Sequence, residues 1–237
     1  MSEKFRKSVV RERVPGLLFT VSNPSKLQLA ANSLLALCDS HYSQADESVL
    51  TTDEIPESDN VNISDAIEQE LSQLNASKRN FKYLGELTRG IGLLSFPRKT
   101  TPSDFVFTLL SGDLPSVPPM FVSRIIPIDW VCAPNQVSFE SVIVPLVKAK
   151  FASFTDDITW KLELDRHGLT NITKESAIEC LHSVIDPRHE VSIFNPDVVV
   201  MIQVTTQTCG VSLLRGFDKL CNYNLRKLIL ERRAEDA

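Results

Sequence analysis

Four residues within nine positions, Arg166, His167, Asn171 and Lys174, combine a forked guanidinium, an imidazole, an amide and an ammonium. That set suits anion binding better than bond breaking, because arginine presents paired donors to phosphate oxygens. The connecting "HGLTN" contains glycine and polar side chains, which places it at the surface, between a strand end and a helix start. Backbone N–H groups at that helix start could face a phosphate. Lys174 at a helix start opposes the macrodipole, so it is slightly wrong for stability and is read as a binding residue. For any single lysine or arginine the plain alternative is a solvated surface charge.

Other constellations carry less. Cys180 and His182 lie two apart and His189 seven further on, but no second cluster supplies ligands for zinc. Asp156 and Asp157 precede a strand, where loop aspartates usually form turns. Gly90 and Gly92 form a lone G-x-G before a strand, not after one, so no dinucleotide or P-loop fingerprint is present. Neither G-x-S-x-G nor H-E-x-x-H occurs. The five cysteines show no C-x-x-C spacing and are read as ordinary buried thiols. No metal or cofactor is expected, and a binding module is favoured over an enzyme.

Net charge is −5, which at first argues against a nucleic-acid partner. The distribution reverses this. Ten of the 30 acidic residues lie between Asp39 and Glu70, where no Lys or Arg occurs, leaving 25 basic and 20 acidic residues elsewhere. No apolar run approaches the roughly 18 residues of a membrane span. The start "MSEKFRKSVVRER" lacks the apolar stretch of a signal peptide, so nothing places the chain in the secretory route.

The elements that must position these residues follow from periodicity. Leu17 to Val21 reads as a strand. Ser22 or Asn23 caps a helix with Pro24 in its first position, and Leu27, Ala30, Ala31, Leu34, Leu35 and Cys38 line one face. The acidic stretch from about Ser43 to Ile63 is expected as a flexible loop, and Ser64 as the cap of a helix carrying Ile67, Leu71 and Leu74. "GIGLLSFP" is a strand. Thr101 or Ser103 starts a helix through Phe105, Leu109 and Leu110 that stops near Gly112, and "MFVSRIIPI" is a further strand. Ser138 is expected to cap a helix whose inner face is Phe139, Val142, Ile143, Leu146, Val147 and Phe151, kinked or shortened by Pro145. "WKLEL" is a half-buried strand. Thr173 caps the next helix, which ends before Asp186–Pro187. Then come "VSIF", the turn "NPD", the strand "VVVMIQV" and the strand "CGVSLL". The "VVVMIQV" strand is apolar on both faces, so both must be covered. This series suits an α+β layer architecture.

The segments "SRIIPIDWVCAPN", "LDRHGLTNITKESAI", "VSIFNPDVVVMIQVTTQTCGVSLL" and "FDKLCNYNLRKL", in that order, resemble the C-terminal half of a THUMP-domain protein. The likeness is to the eukaryotic stand-alone type that partners a tRNA cytidine acetyltransferase. "VPGLLFTVSNPSK" and "DAIEQELSQLNASKRNFKYL" are similar to that family's N-terminal region, so the resemblance covers roughly Val14 to Leu228. It implies an N-terminal ferredoxin-like domain (14–128, with an acidic loop 43–63) followed by an α/β THUMP domain (129–228; a profile-defined span would run from near 93 to near 215). It implies binding of tRNA, presentation of the D-arm to a tRNA or rRNA cytidine acetyltransferase for N4-acetylcytidine formation, and no active site in this chain. It also implies a nuclear, nucleolar or cytoplasmic location and no membrane partner. The family usually has paired asparagines after the basic residue in the loop following the first THUMP strand. Here Arg166 is kept, but the asparagines are absent unless Asn171 substitutes.

The candidate RNA-binding surface is therefore Arg124, Lys148, Lys150, Arg166, His167, Asn171, Lys174, Arg215, Lys219, Arg226 and Lys227, with Arg232 and Arg233 adding to a basic C-terminal tail. Such binding rests on phosphate contacts and shape, because A-form RNA hides its base edges in a deep groove. Tyr223 in "NYN" is read as packing the tail against the domain rather than stacking on a base. An RNA-modifying enzyme with an unrecognised site and a protein scaffold using the acidic loop stand as the alternatives.

Overall fold

The computed structural model describes residues 14–47, 80–97, 101–168 and 170–235. The expected Ser64-capped helix, and the acidic segment from residue 48 onward, lie outside the described residues. The first part runs β1 (Gly16–Val21), α1 (Leu27–Glu47), β2 (Tyr83–Thr88), β3 (Ile91–Ser95), α2 (Pro102–Ser111) and β4 (Val122–Ile128). These strands form one antiparallel sheet in the order β2-β3-β1-β4, the ferredoxin-like arrangement of a β-α-β-β-α-β chain.

Local chemistry explains the elements. Asn23 accepts the N–H of Ser25 at the head of the short 3₁₀ turn Pro24–Lys26 that leads into α1. Leu27, Ala30, Ala31, Leu34, Leu35 and Cys38 are all buried. The helix runs on to Glu47, into residues expected as loop, because buried Tyr42 packs edge-on against Phe81 at 5.8 Å and holds another turn. Thr101 caps α2 by accepting the N–H of Asp104, with Pro102 in the first turn. β2 was not anticipated. Its register shifts twice against β3, and Gly85 sits at φ 127, so it shows no clean alternation.

The second sheet contains β5 (Trp130–Cys132), β6 (Trp160–His167), β7 (Val198–Thr205) and β8 (Cys209–Arg215), ordered β5-β8-β7-β6. β6 and β7 are parallel and the other pairs antiparallel, so the protein is α+β with one antiparallel and one mixed sheet. "VSIF" makes only a single bridge, Val191 with Trp160, rather than a strand.

All eight residues of β7 are buried, and alternation divides them between two cores. Val198, Val200, Ile202 and Val204 belong to the core under the second set of helices; Val199 and Met201 belong to the core of the first sheet. That is why this strand reads as apolar on both faces.

The helical run from Gln136 departs from expectation in three ways. It comprises α3 (Gln136–Ser138), a π turn (Phe139–Ile143) and α4 (Val144–Ala152). Its cap is Asn135, which accepts the Ser138 N–H at 2.8 Å, and Ser138 makes no cap bond. The π turn closes with Val144 N–H to Phe139 O just before Pro145, whose missing N–H would break an α ladder. The extra residue rotates the inner face: Phe139, Ile143, Val144, Val147 and Phe151 are buried, whereas Leu146 is exposed.

α5 (Lys174–His182) follows β6, and a 3₁₀ turn (Cys221–Tyr223) and α6 (Leu225–Glu235) close the chain. The basic tail is thus a packed helix. Leu225, Leu228 and Ile229 join the first core, and Arg232 donates to the carbonyls of Leu110 and Gly112, capping the end of α2. Cys38, Cys132 and Cys209 are buried thiols, but Cys180 and Cys221 are only partly so, contrary to expectation. Cys221 donates to Glu231 at 2.7 Å. Among the described residues no helix is long and apolar enough to cross a membrane.

Candidate nucleic-acid interface

β6 is longer than "WKLEL". It continues through Asp165, Arg166 and His167, paired with Gln203, Val204 and Thr205 of β7. Arg166 and His167 are therefore strand residues, not loop residues, and they point to opposite faces. Arg166 is exposed on the helix-covered side, level with Val204. His167 is half-buried on the other side, where its Nε2 lies 3.3 Å from Oε1 of buried Gln203. The Gln203 amide donates in turn to Asp165 at 2.8 Å. His167 is thus held by protein groups.

Beyond the strand, Gly168 adopts φ 138, and a Cβ there would lie 2.6 Å from Thr206 Cγ2 in the β7–β8 hairpin. Only glycine passes this point without strain. The loop is then pinned at several places. Ile172 is fully buried, Thr170 donates to Pro134 O, and Asn171 Oδ1 accepts the Gln136 N–H at 3.3 Å. Thr173 and Ser176 form a reciprocal capping box on α5. Replacing Thr173 by alanine should cost about 1 kcal/mol in urea unfolding, the usual worth of such a cap.

Gln136 is the residue that sequence reasoning missed. Its backbone holds Asn171, and its side-chain Oε1 lies 3.0 Å from Ser176 Oγ. These contacts span 35 and 40 residues, so no local signal reveals them.

Arg166, Asn171 and Lys174 are exposed around this frame. The Glu175 carboxyl is held below its usual range by its own N–H first, then by the Thr173 hydroxyl, with Arg166 and Lys174 adding charge attraction. Both cations are therefore close to one carboxylate. Among the described residues neither forms an ion pair. The arrangement presents solvated cations and a helix start at the carboxyl ends of two parallel strands, where open sheets commonly bind ligands.

The other candidates are not brought to this point. Lys148 and Lys150 lie exposed on α4, and Lys150 borders a cleft of about 580 Å³ lined also by Trp130, Phe154, Asp104 and Asp129. Burial pushes the Asp129 carboxyl up, against the Ser103 N–H that donates to it at 2.9 Å. Arg215 is occupied: it pairs with Asp104 at 2.7 Å and lies 4.5 Å over the Phe107 ring. Lys219 adds charge beside Asp197, whose carboxyl is lowered mainly by the Thr159 N–H. Lys227 pairs with Glu231 at 3.3 Å, while Arg226 is exposed one position away. Arg124 is half-buried in β4 of the first sheet.

Fold and site together define an α+β protein with a pinned, cationic corner at the end of a mixed sheet. No family model matches the chain. A protein of Schizosaccharomyces pombe, described only as uncharacterized, is 19% identical over 230 residues, covering 95% of this chain and 79% of that one. Among solved structures, a protein of Pyrococcus horikoshii is similar at TM-score 0.47 and 9% identity, over 86% of this chain and 56% of its own. A 4-thiouridine synthetase in complex with RNA and ATP is similar at TM-score 0.43 and 12% identity, over 85% and 41%. TrmN from Thermus thermophilus is similar at TM-score 0.36 and 11% identity, over 84% and 45%. The chain spans about half the length of these three structures.

Proposed function

We propose that this protein is a THUMP-type tRNA-binding adaptor. It holds tRNA and presents the D-arm to a cytidine acetyltransferase that forms N4-acetylcytidine, in the nucleus, nucleolus or cytoplasm, and it does no chemistry itself. The ferredoxin-like domain would occupy residues 14–128 and the THUMP domain 129–228. The observation that carries this reading is the corner of Arg166, Asn171 and Lys174, where two solvated cations flank a helix start on a pinned loop. The ordered series of family-like segments supports it and supplies the enzyme partner.

Purified protein should bind tRNA with micromolar or weaker affinity. About four phosphate contacts give a log–log salt slope near −3 to −4, at roughly 0.7 to 0.9 per contact. Filter binding at several salt concentrations measures this, and affinity indifferent to salt would oppose the reading. With acetyl donor and nucleotide supplied, the isolated protein should leave tRNA unacetylated by mass spectrometry, and turnover by the chain alone would sink the adaptor role. In cells lacking the protein, N4-acetylcytidine should be lost from tRNA.

A further inference from the structure

The chain between α5 and β7 exposes three apolar side chains on one short loop: Val191 (57%), Ile193 (73%) and Phe194 (84%). Phe194 is the most exposed large apolar side chain among the described residues. The loop is firmly held. Trp160 N–H donates to Glu190 O, and Ser192 N–H donates to Trp160 O, each at 2.9 Å. Ser192 Oγ donates to Phe194 O at 2.8 Å, and Asn195 N–H donates to Asp218 at 3.1 Å. Pro196 is buried, and Asp197 accepts both the N–H and the hydroxyl of Thr159. A protruding apolar loop fixed this way loses little entropy on binding.

The charge around it is acidic. Asp186, Glu190 and Asp197 are exposed beside the loop. Nearby cations are matched by acids: Lys161 by Glu163 and Asp218, Arg188 by Asp157 and the carbonyls of Phe154 and Thr155, and exposed Lys219 by the Asp197 carboxylate it stands beside. Asp186 and Glu190 form no ion pair among the described residues, so the balance around the loop stays acidic and disfavours a polyanion such as RNA. We infer that Val191, Ile193 and Phe194 form a protein-docking knob, whose occupant is an apolar pocket rimmed by lysine or arginine on another protein. A protein that itself handles RNA presents such cationic surface. The knob is bridged to Trp160 at the start of β6, and the basic corner sits at Arg166, six residues along the strand, or about 20 Å at ~3.3 Å per residue. RNA and a protein can thus be held together without overlap. Identifying the occupant with the modification enzyme rests on the adaptor reading.

The test uses the full chain, purified tRNA cytidine acetyltransferase and tRNA. Association with the enzyme is measured by biolayer interferometry for wild type, the double variant Ile193→Ser/Phe194→Ser, and Glu190→Lys. The double variant should weaken enzyme binding about tenfold or more, as truncation of anchor residues does. Its tRNA affinity and melting temperature should stay at wild-type values. Glu190→Lys should lower the association rate and its salt dependence. Equal enzyme binding by wild type and double variant overturns the knob and leaves the adaptor reading standing. Wild-type protein that binds tRNA but no enzyme overturns the knob and the partner half of that reading. Loss of tRNA affinity in the double variant, or a wild-type dimer that the variant dissolves, assigns the loop to RNA or to a second copy and overturns the proposal.

Discussion

Replacing Tyr223 by alanine should cost about 3–5 kcal/mol of stability in urea unfolding, the range for truncating a buried aromatic. Tyr223 is fully buried, stacked on Phe217 at 5.9 Å, and its hydroxyl donates to Arg215 O at 3.1 Å. It sits in a left-handed turn in which Cys221, Asn222 and Tyr223 have φ of 53, 55 and 58. Non-glycine residues resist that region by about 1–2 kcal/mol each, so the turn persists only because its side chain and hydrogen bonds hold it. Asn222 N–H reaches Phe217 O at 2.8 Å, and Asn224 N–H reaches Cys221 O at 3.0 Å. Releasing the turn offsets part of the loss, which favours the lower end of the range. Tyr223→Phe separates the causes: it keeps the ring and should cost about 1 kcal/mol, the usual net worth of one hydrogen bond. Neither variant should alter tRNA affinity when measured well below its melting temperature. A Tyr223→Phe protein as stable as wild type would show instead that the hydroxyl's bond to Arg215 O contributes nothing and that ring burial alone holds the turn.

The same turn shows how far a sequence can be read. "NYN" yields packing rather than stacking from base rates, but nothing in it announces three consecutive left-handed residues. Only the burial of Tyr223 between β4 and α6 explains them. Elements with clean periods were legible: α1 through its Leu27 to Cys38 face, α2 through a Thr101 or Ser103 start and the Phe105, Leu109 and Leu110 face, and β7 through its unbroken apolar run. β2 was not, because two register shifts and Gly85 erase its alternation. Leu146 was misplaced because a π turn adds a residue ahead of Pro145, and a strict 3.6-residue period cannot register that insertion. The C-terminal run was read by its charge, yet Leu225, Leu228 and Ile229 sit at helical spacing and bury it.

The site divides along similar lines. Residue types and the Thr173 cap single out the Arg166 to Lys174 window as the candidate. The length of β6 was hidden, because Asp165, Arg166 and His167 carry no apolar alternation and owe their strand state to pairing with β7. That pairing separates Arg166 from His167 across the sheet, which a loop reading could not foresee. Arg215 looked equivalent to Arg166 in sequence, but Asp104, 111 residues away, occupies it. Long-range partners decide which cations remain available to a ligand.

Changing both Arg166 and Lys174 to alanine should weaken tRNA binding several-fold and leave the melting temperature within a few degrees. Both side chains are exposed and form no ion pair among the described residues, so little native structure depends on them. Arg166 keeps its backbone pairing with Val204 as alanine, and the Thr173–Ser176 capping box does not involve Lys174. Removing a cation from the first turn of α5 even favours the helix slightly, by about 0.3–1 kcal/mol, less the attraction it loses to Glu175. Binding responds differently because each cation releases counterions when it meets a phosphate. Losing two contacts should reduce the magnitude of the log–log salt slope by roughly 1.4 to 1.8. The slope is the sharper readout, since a merely misshapen loop would lower affinity without changing the number of ions released. A double variant with wild-type affinity and slope would place the RNA surface elsewhere. Arg226 and Lys227 would be tested next, with Arg226 first, because Lys227 is already paired with Glu231.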